Sequence, residues 1–308
     1  MLAPAPHSEN HQCFSDTAVA ACAAIPWKCT EDECKPEELD MKLNAYVAAA
    51  VYAVYAVGLG SGGVAAAQSG SPPKTNPAGE AKYGDTRMLE AGAKILQSNS
   101  PLKGFDVYLN GFHPMKAKPE IQMEAHHYCH QMNEDFAQCV LFDSNTKSAN
   151  MNGVEYIISE KLFNSLPQEE RKYWHPHNGE ILSGQLVAPG LPAAAEHALM
   201  KKKMNSYGKT WHVWHTGHQG EPGDKMPLGE AMLAWSFNRE GEIMPGLGEA
   251  RDKQLKVSTV EKRERRSDLR ALAKPQSGVD DLKGKFPRPT KDIPGVVDQK
   301  ASGPRASN

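Results

Sequence analysis

The segment Glu124-Ala-His-His-Tyr-Cys-His130 decides how the middle of the chain folds. It has no apolar residues at helical spacing, and its alternation predicts a β-strand with two different faces. In such a strand successive side chains point to opposite sides. One face then carries His126, Tyr128 and His130, and the other carries His127 and Cys129. Only one of these two sets can face a common site.

A second strand is predicted at residues 136–142, and the turn residues 133–135 between the two indicate a hairpin. A three-residue loop would place Cys129 directly opposite Cys139, close enough for a disulfide bond. Export from the cell would favour the bond, and a reduced pair of buried thiols is the alternative. The six cysteines show no C-x-x-C spacing, so nothing indicates a zinc ribbon or a redox motif.

The rest of the chain shows several strands mixed with short helices. Strand patterns occupy residues 153–158, 209–215 and 231–236, and helix patterns occupy residues 85–96, 168–174 and 192–208. Without regular βαβ alternation, this mixture is typical of an α+β domain with a mainly antiparallel sheet. We assign this single domain to residues 83–250. Residues 251–308 are charged and poor in apolar side chains, which predicts a disordered tail.

Residues 41–67 have the layout of a secretory signal peptide. Lys42 precedes a long apolar run, and Ala65-Ala-Ala67 resembles a cleavage site. The irregular residues 1–40 would then lie upstream of the true start at Met41, and residues 68–82 would form a linker. We therefore expect an exported protein, periplasmic or secreted. The alternative is that the same run anchors the chain in a membrane, which its length allows.

Charge and motif content exclude several functions. A formal charge of -2 and a pI near 6.6 give no basic field, so nucleic-acid binding has no electrostatic support. The chain also lacks a glycine-rich phosphate loop between a strand and a helix, and it lacks a nucleophile elbow. These absences argue against nucleotide-dependent chemistry and against an ordinary serine hydrolase.

The spacing His175-x-His177-x-x-Glu180 places two imidazoles and a carboxylate close together. This donor set suits a divalent Zn, Fe, Mn or Cu ion, and we expect His126 from the first strand to supply a fourth ligand. Because imidazole binds metal in its neutral form, binding should weaken as the pH falls through about 6.5. The alternatives are histidines that only cap helix carbonyls, and a cysteine–histidine nucleophile using Cys129 or Cys139.

Five strings of residues resemble the oil body-associated protein family. They are Gln122-Met-Glu-Ala-His-His-Tyr-Cys129, Asn133-Glu-Asp-Phe-Ala-Gln-Cys139, Gly153-Val-Glu-Tyr-Ile-Ile-Ser-Glu160, Lys172-Tyr-Trp-His-Pro-His177 with Glu180, and Tyr207-Gly-Lys-Thr-Trp211. The family is known from plant seed lipid droplets and also occurs in fungi and bacteria. The export-like segment departs from the plant pattern and indicates a bacterial-type member.

The resemblance implies a single domain and, for plant members, a role in lipid-droplet organisation, with no established reaction and no agreed active site. The expected function is therefore non-catalytic: binding of a lipid or small-molecule ligand, with peripheral association with a membrane or lipid surface. No long apolar hairpin that could enter an oil phase is present inside the domain, so droplet binding would need a surface patch. The alternative function is a metal-dependent enzyme that uses the His/Glu site.

Overall fold

The structure, a computed structural model, describes residues 27–30, 33–36, 70–97, 100–218 and 221–299. The chain divides into two compact units, Met1–Ala65 and Ala66–Asn308. In the first unit an antiparallel hairpin is described, formed by β1 (Trp27–Thr30) and β2 (Glu33–Pro36). The predicted export segment, 41–67, lies outside the described residues. Among the described helices, none is both long and apolar enough to cross a bilayer.

The second unit is built on a seven-stranded antiparallel sheet. Its strands are β3 (Val107–Met115), β4 (Lys118–Asn133), β5 (Phe136–Phe142), β6 (Met151–Ile158), β7 (His175–Pro176), β8 (Tyr207–His212) and β11 (Met232–Leu233). Their order is β11-β8-β6-β5-β4-β3, and β7 also pairs with β8. Short pairs are formed by β9 (Gly217–His218) with β10 (Glu221–Pro222) and by β12 (Arg239–Glu240) with β13 (Lys291–Asp292). The predicted α+β class with an antiparallel sheet is confirmed.

Short helices connect the strands. They are α1 (Gly84–Leu96), α2 (Glu160–Ser165), α3 (Gln168–Arg171), α4 (Asn178–Leu182), α5 (Ala193–Lys203), α6 (Leu247–Leu255) and α7 (Thr259–Arg265), with 3-10 turns at Pro101–Gly104 and Ser267–Leu272. Ser159 begins α2 by accepting a hydrogen bond from the backbone N–H of Leu162. Ser165 is the last residue of α2, and Leu166 and Pro167 separate it from α3, which begins at Gln168.

The β4–β5 hairpin differs from the prediction in its loop. Asn133 pairs directly with Phe136, so the loop has two residues, and a bulge between Gln131 and Asn133 absorbs the extra one. A bulge opposes two residues to one and thereby restores the register on its far side. Cys129 consequently pairs with Cys139, as the three-residue loop also predicted.

The domain extends beyond its predicted end, because residues 251–299 are ordered and not a disordered tail. Apolar side chains are buried along this segment: Leu255, Leu269, Val279, Leu282, Phe286, Ile293 and Val296. Two buried arginines add hydrogen bonds, from Arg251 to the Asn110 side chain and the Gln185 carbonyl, and from Arg266 to the Ile181 and Leu186 carbonyls. A few buried apolar side chains and the hydrogen bonds of the two buried arginines therefore order this segment, although its composition alone predicts disorder.

Part of the predicted linker also belongs to the domain. Ser71 is fully buried, and its backbone N–H donates to Asn145 Oδ1. Lys74 forms an ion pair with the buried carboxylate of Glu124 on β4 at 2.9 Å. Residues 71–74 therefore cover β4 instead of spanning solvent.

Candidate metal centre

A group of seven titratable side chains is gathered on one face of the sheet, which we call the site face. The strand register explains the gathering, because residues paired across neighbouring strands share a face. Glu155 pairs with Cys139 and with Thr210, and His127 pairs with Leu141. All seven members are buried: His113, His127, Glu155, His175, His177, Glu180 and His212.

Two short elements complete the group from outside the central strands. Strand β7 pairs His175 with Gly208 of β8. His177 follows immediately as the residue before α4, and Glu180 lies within the first turn of that helix. The Asn178 side chain donates to the Asn205 side chain and to the Lys274 carbonyl. Gln276 accepts from the Asn178 backbone N–H and donates to the Ser206 carbonyl, so the C-terminal segment fixes α4 against β8.

Glu155 is the centre of the group. Its Oε2 lies 2.9 Å from Nε2 of His127. Its Oε1 lies 3.2 Å from Nε2 of His177 and 3.5 Å from Nε2 of His175. Glu180 lies somewhat further from the histidines, with Oε1 4.0 Å from Nε2 of His113 and Oε2 4.0 Å from Nε2 of His177. The two carboxylates and four of the imidazoles therefore face one another.

The Nδ1 atoms of three histidines have partners of their own. His127 Nδ1 lies 3.1 Å from the Ala125 carbonyl. His177 Nδ1 lies 2.8 Å from Ser206 Oγ, which itself donates to the Lys203 carbonyl and therefore accepts from the imidazole. His212 Nδ1 lies 3.2 Å from the Asn152 carbonyl. Each ring donates its Nδ1 hydrogen outward, as metal-bound histidines in proteins do.

This tethering leaves Nε2 of His127 and His177 directed at the oxygens of Glu155. An imidazole whose hydrogen is on Nδ1 presents a lone pair at Nε2, and a carboxylate presents only lone pairs. Two such acceptors at 2.9 Å or 3.2 Å require a positive charge between them, either a second proton on the ring or a metal cation. His175 shows the same need, because neither of its ring nitrogens forms a hydrogen bond among the described residues.

Gly208 leaves room beside these donors. A Cβ added there would lie 2.2 Å from Oε1 of Glu155 and 2.6 Å from Nε2 of both His175 and His177. The three donor atoms therefore lie close together beside the Gly208 backbone, and any larger residue at this position would crowd them. Imidazole nitrogen with carboxylate oxygen is also the donor chemistry that Zn, Fe, Mn and Cu accept.

Burial shifts the pKa values of several members. It lowers the pKa of His175 to about 4 and that of His212 to about 3, and it places the pKa of His113 well below 6.5. Burial would raise the pKa of Glu155, but the imidazoles of His127, His175 and His177 outweigh it and hold that pKa well below 4.5. Because His175 is neutral well below pH 6.5, proton competition at this ligand begins at a lower pH than an ordinary imidazole predicts.

Glu180 behaves in the opposite way. Burial, and then the charge of Glu155, raises the pKa of the Glu180 carboxyl well above 4.5. The two acidic groups thus divide into an ionised Glu155 surrounded by imidazoles and a Glu180 that retains its proton more strongly. Three triads have donor atoms within 4.8 Å of one another: His113–His127–Glu155, His113–His175–Glu180 and Glu155–His175–His177. These buried groups could hold a metal ion.

Of the four predicted ligands, His175, His177 and Glu180 come together and His126 does not. His126 lies on the opposite face of β4, where Nδ1 is 2.8 Å from the Tyr108 hydroxyl and Nε2 is 3.1 Å from Glu124 Oε1. The prediction chose His126 because Tyr128 and His130 share its face. The polar members of the site come instead from neighbouring strands, and His127 is the β4 residue that faces them.

Glu155, His113 and His212 were not identified from the sequence as members of the site. There was no clear signal for Glu155 in the sequence, because alternation groups it with Gly153 and Ile157, and only the structure shows that the face of Val154 and Tyr156 is the exposed one. A carboxylate at a core-facing strand position is unusual without a partner. His113 belongs to no local motif, so only the β3–β4 register places it at the site.

Cys129 and Cys139 form a disulfide bond beside the site, with their Cα atoms 4.0 Å apart. The bond joins β4 to β5 on the site face, where Cys139 pairs with Glu155 of β6. With both sulfurs bonded to each other, neither is available as the thiolate nucleophile that the sequence left open. The two cysteines therefore act in this structure as a covalent link between the strands.

Comparisons with known proteins match the sheet and the site together. The family described as "Protein of unknown function (DUF1264)" matches residues 99–270. Oil body-associated protein 2B of Arabidopsis thaliana is 38% identical over 192 residues, which cover 62% of this chain and 72% of the relative. Oil body-associated protein 1A of Zea mays is 36% identical over 197 residues, which cover 64% of this chain and 80% of the relative. No solved structure matches the chain significantly. The matches to the DUF1264 family and to these plant proteins show that the chain belongs to the oil body-associated protein family.

Proposed function

We propose that this protein binds a divalent transition-metal ion, Zn, Fe, Mn or Cu, at the cluster centred on Glu155. The observation that carries the proposal is the orientation of the imidazoles of His127 and His177. Each donates its Nδ1 hydrogen to a neighbouring protein oxygen, and each directs Nε2 at a Glu155 oxygen. A cation between these acceptors satisfies all of them at once, and His175 would gain the partner that it lacks.

The role we assign to the site is binding, and we assign it no reaction. A surface pocket of about 610 Å³ is lined by His212, Met115, Ile121, Trp214 and Met232 among others. None of the six donors in the three triads contributes to its lining. His212 lines this pocket and also contacts the site, since its Nε2 lies 3.1 Å from Nδ1 of His113. A metal-dependent enzyme is the alternative function that we propose for the same residues.

Elemental analysis of the full chain, purified without chelators, tests the metal proposal. We expect a stoichiometric transition metal in the wild-type protein. Gly208→Ala places a methyl group among Glu155, His175 and His177 and should reduce the affinity for Zn²⁺ at least about tenfold. Gly92→Ala is the matched control, because nothing lies within 4 Å of a Cβ added there. Wild-type protein that binds none of the four metals at micromolar concentration would contradict the proposal.

We propose, secondly, that the protein associates with lipid surfaces through α1. The relatives are named as oil body-associated proteins. None of the residues of α1 is buried, and four large apolar side chains of the helix are between 74% and 84% exposed. These are Met88, Leu89, Ile95 and Leu96, which share one face at helical spacing, while Arg87, Glu90 and Lys94 occupy the other. An exposed amphipathic helix of this kind binds at a lipid–water interface.

Flotation with phospholipid-coated triacylglycerol droplets tests this second function. We expect the wild-type chain to float with the droplets, and the double variant Leu89→Glu with Leu96→Glu to stay in the aqueous fraction. Thr86→Glu with Ala93→Glu adds the same charge on the flank of α1 and serves as the control, which should still float. Equal flotation of both double variants would show that the apolar face of α1 is not the contact.

A further inference from the structure

We propose that the site holds two metal ions, bridged by the carboxylates of Glu155 and Glu180. The inference rests on the proposed metal binding and adds the number of ions and the division of the ligands between them. In this arrangement His113 and His127 bind one ion, and His175 and His177 bind the other. Each ion then has two imidazole nitrogens and one oxygen from each carboxylate.

The two oxygens of Glu155 face different histidines. Oε2 lies 2.9 Å from Nε2 of His127, on the β4 side. Oε1 lies 3.2 Å from Nε2 of His177 and 3.5 Å from Nε2 of His175, on the β7 side. A carboxylate that chelates a single ion directs both oxygens at one point, whereas a bridging carboxylate directs them at two. The contacts of Glu155 have the bridging pattern.

Glu180 repeats this division from the opposite side. Its Oε1 is 4.0 Å from Nε2 of His113, and its Oε2 is 4.0 Å from Nε2 of His177. Glu180 thus reaches one histidine of each pair. Glu155 arrives from β6 and Glu180 from α4, so the two carboxylates enclose the space between the pairs from two elements.

The four histidines adjoin one another, and their shortest ring contacts lie within the two proposed pairs, since the distance between the pairs, from His113 to His175, is 5.6 Å. The ring centroids of His113 and His127 are 5.1 Å apart, and those of His175 and His177 are also 5.1 Å apart. The triads His113–His127–Glu155 and Glu155–His175–His177 share only Glu155. Because they use its different oxygens, an ion in one triad leaves the donors of the other unused. A second ion uses them.

The number of donors is also sufficient for two ions. Six buried residues surround the space, and they are His113, His127, His175, His177, Glu155 and Glu180. Divided between two ions, their four imidazole nitrogens and four carboxylate oxygens give each ion a four-coordinate set. Two-metal sites of this kind hold their ions about 3.5 to 4 Å apart. A separation of that order matches carboxylates that reach histidines on both sides.

Native mass spectrometry of the metal-free full chain, titrated with Zn²⁺, counts the ions. We expect two Zn²⁺ per wild-type chain, and one in each of the variants His127→Asn and His177→Asn. His126→Asn is the matched control, because His126 is an equally buried histidine on the opposite face, and it should keep two ions. One ion in the wild type would overturn the dinuclear site while the proposed metal binding stands, and zero ions would overturn both.

Electron paramagnetic resonance of the Mn²⁺-loaded chain provides a measurement that needs no variant. Carboxylate bridges couple the spins of two Mn²⁺ ions, so the spectrum at full loading should show exchange coupling. Two independent, uncoupled signals at a stoichiometry of two would place the ions apart and overturn the bridges. Circular dichroism of each histidine variant separates loss of an ion from loss of the fold.

Discussion

Nδ1 of His113 lies 3.1 Å from Nε2 of His212, and both imidazoles are fully buried. Because His212 donates its Nδ1 hydrogen to the Asn152 carbonyl, its Nε2 accepts from Nδ1–H of His113. His113 is left with a free lone pair on Nε2, directed toward Glu180. His212 thus orients the His113 ring, a member of the proposed metal site, through a hydrogen bond.

The role of His212 predicts different effects for two substitutions. His212→Gln keeps an acceptor for the His113 hydrogen and should keep Zn²⁺ affinity close to that of the wild type. His212→Leu removes the acceptor and should weaken affinity by about 10-fold to 100-fold, the usual effect of losing an outer partner of a histidine ligand. Competition with a chromophoric chelator measures both, with His215→Leu, at the edge of the surface pocket, as control. Equal affinities for the two His212 variants would exclude the positioning role.

Glu180 predicts proton release on metal binding. Burial and the charge of Glu155 raise the pKa of this carboxyl well above 4.5, so a cation bound there displaces a proton that an ordinary glutamate would already have lost. Calorimetry of Zn²⁺ binding at pH 7, repeated in buffers of different ionisation enthalpy, counts the released protons. Glu180→Gln should release fewer than the wild type. An unchanged count would show that Glu180 does not exchange a proton for the ion.

His175 predicts a pH dependence of stability in the metal-free chain. Its pKa is about 4 when folded and close to 6.5 when unfolded, so between these values the unfolded chain binds more protons. The free energy of unfolding contributed by His175 therefore falls as the pH drops, by about 2 kcal/mol between pH 6.5 and pH 5. The raised pKa of Glu180 acts with the opposite sign in this window, so the comparison must isolate His175.

Urea unfolding of the wild type and of His175→Asn, both metal-free, makes that comparison. All other groups titrate in both proteins, and the difference between the two curves reports His175. We expect the wild type to lose about 2 kcal/mol more than the variant between pH 6.5 and pH 5. Parallel pH profiles would mean that the folded His175 titrates like an exposed imidazole.

The disulfide bond predicts a change in mass on reduction and a loss of stability when both cysteines are replaced. Intact mass of the native protein should rise by two hydrogens on reduction if Cys129 and Cys139 are bonded. Replacing both with alanine should lower the free energy of unfolding by about 3 kcal/mol, the value expected for a short closed loop. Two free thiols at these positions in native protein would contradict the bond.

Export predicts the N-terminus of the mature protein. If residues 41–67 are a cleaved signal peptide, the protein from its native host begins near Gln68 and occurs in the periplasm or the medium. N-terminal sequencing of fractionated cells tests this expectation. A chain retained in the membrane with its apolar run intact would support an anchor instead, and an intact Met1 end in the cytosol would reject both.

Local patterns predicted most of the sheet, but they could not choose between neighbouring side chains. Alternation placed His126 and His127 on opposite faces of β4 and gave no means of deciding which face holds the site, because both faces are buried. That decision depends on Glu155 and His113, which reach His127 only through the pairing of four strands. The pairing of Cys129 with Cys139 was easier to predict, because the register of a hairpin is set by its local turn.

The C-terminal segment was misjudged for a related reason. Composition measures how frequently apolar residues occur, whereas burial depends on where the fold places each residue. Leu269, Val279 and Ile293 are far apart in sequence, yet they join one hydrophobic cluster with Ile181 and Leu182 of α4. Arg266 is counted as charge in the sequence, but in the fold it donates to backbone carbonyls and pairs with Glu196. Such contacts have no signature in a local window.

The hydrogen bonds of Gln276 to Asn178 and Ser206 also mean that the site is completed late in the synthesis of the chain. Chains emerge from the ribosome from the N-terminus, so β4 and β6 are available long before residue 276 exists. Until then, α4 lacks the segment that fixes it against β8, and Glu180 and His177 lack their final support. If the site binds metal as we propose, ions are captured at a complete site only after the chain is finished. A metal encountered during synthesis would meet scattered histidines, and one encountered afterwards would meet a closed set of ligands.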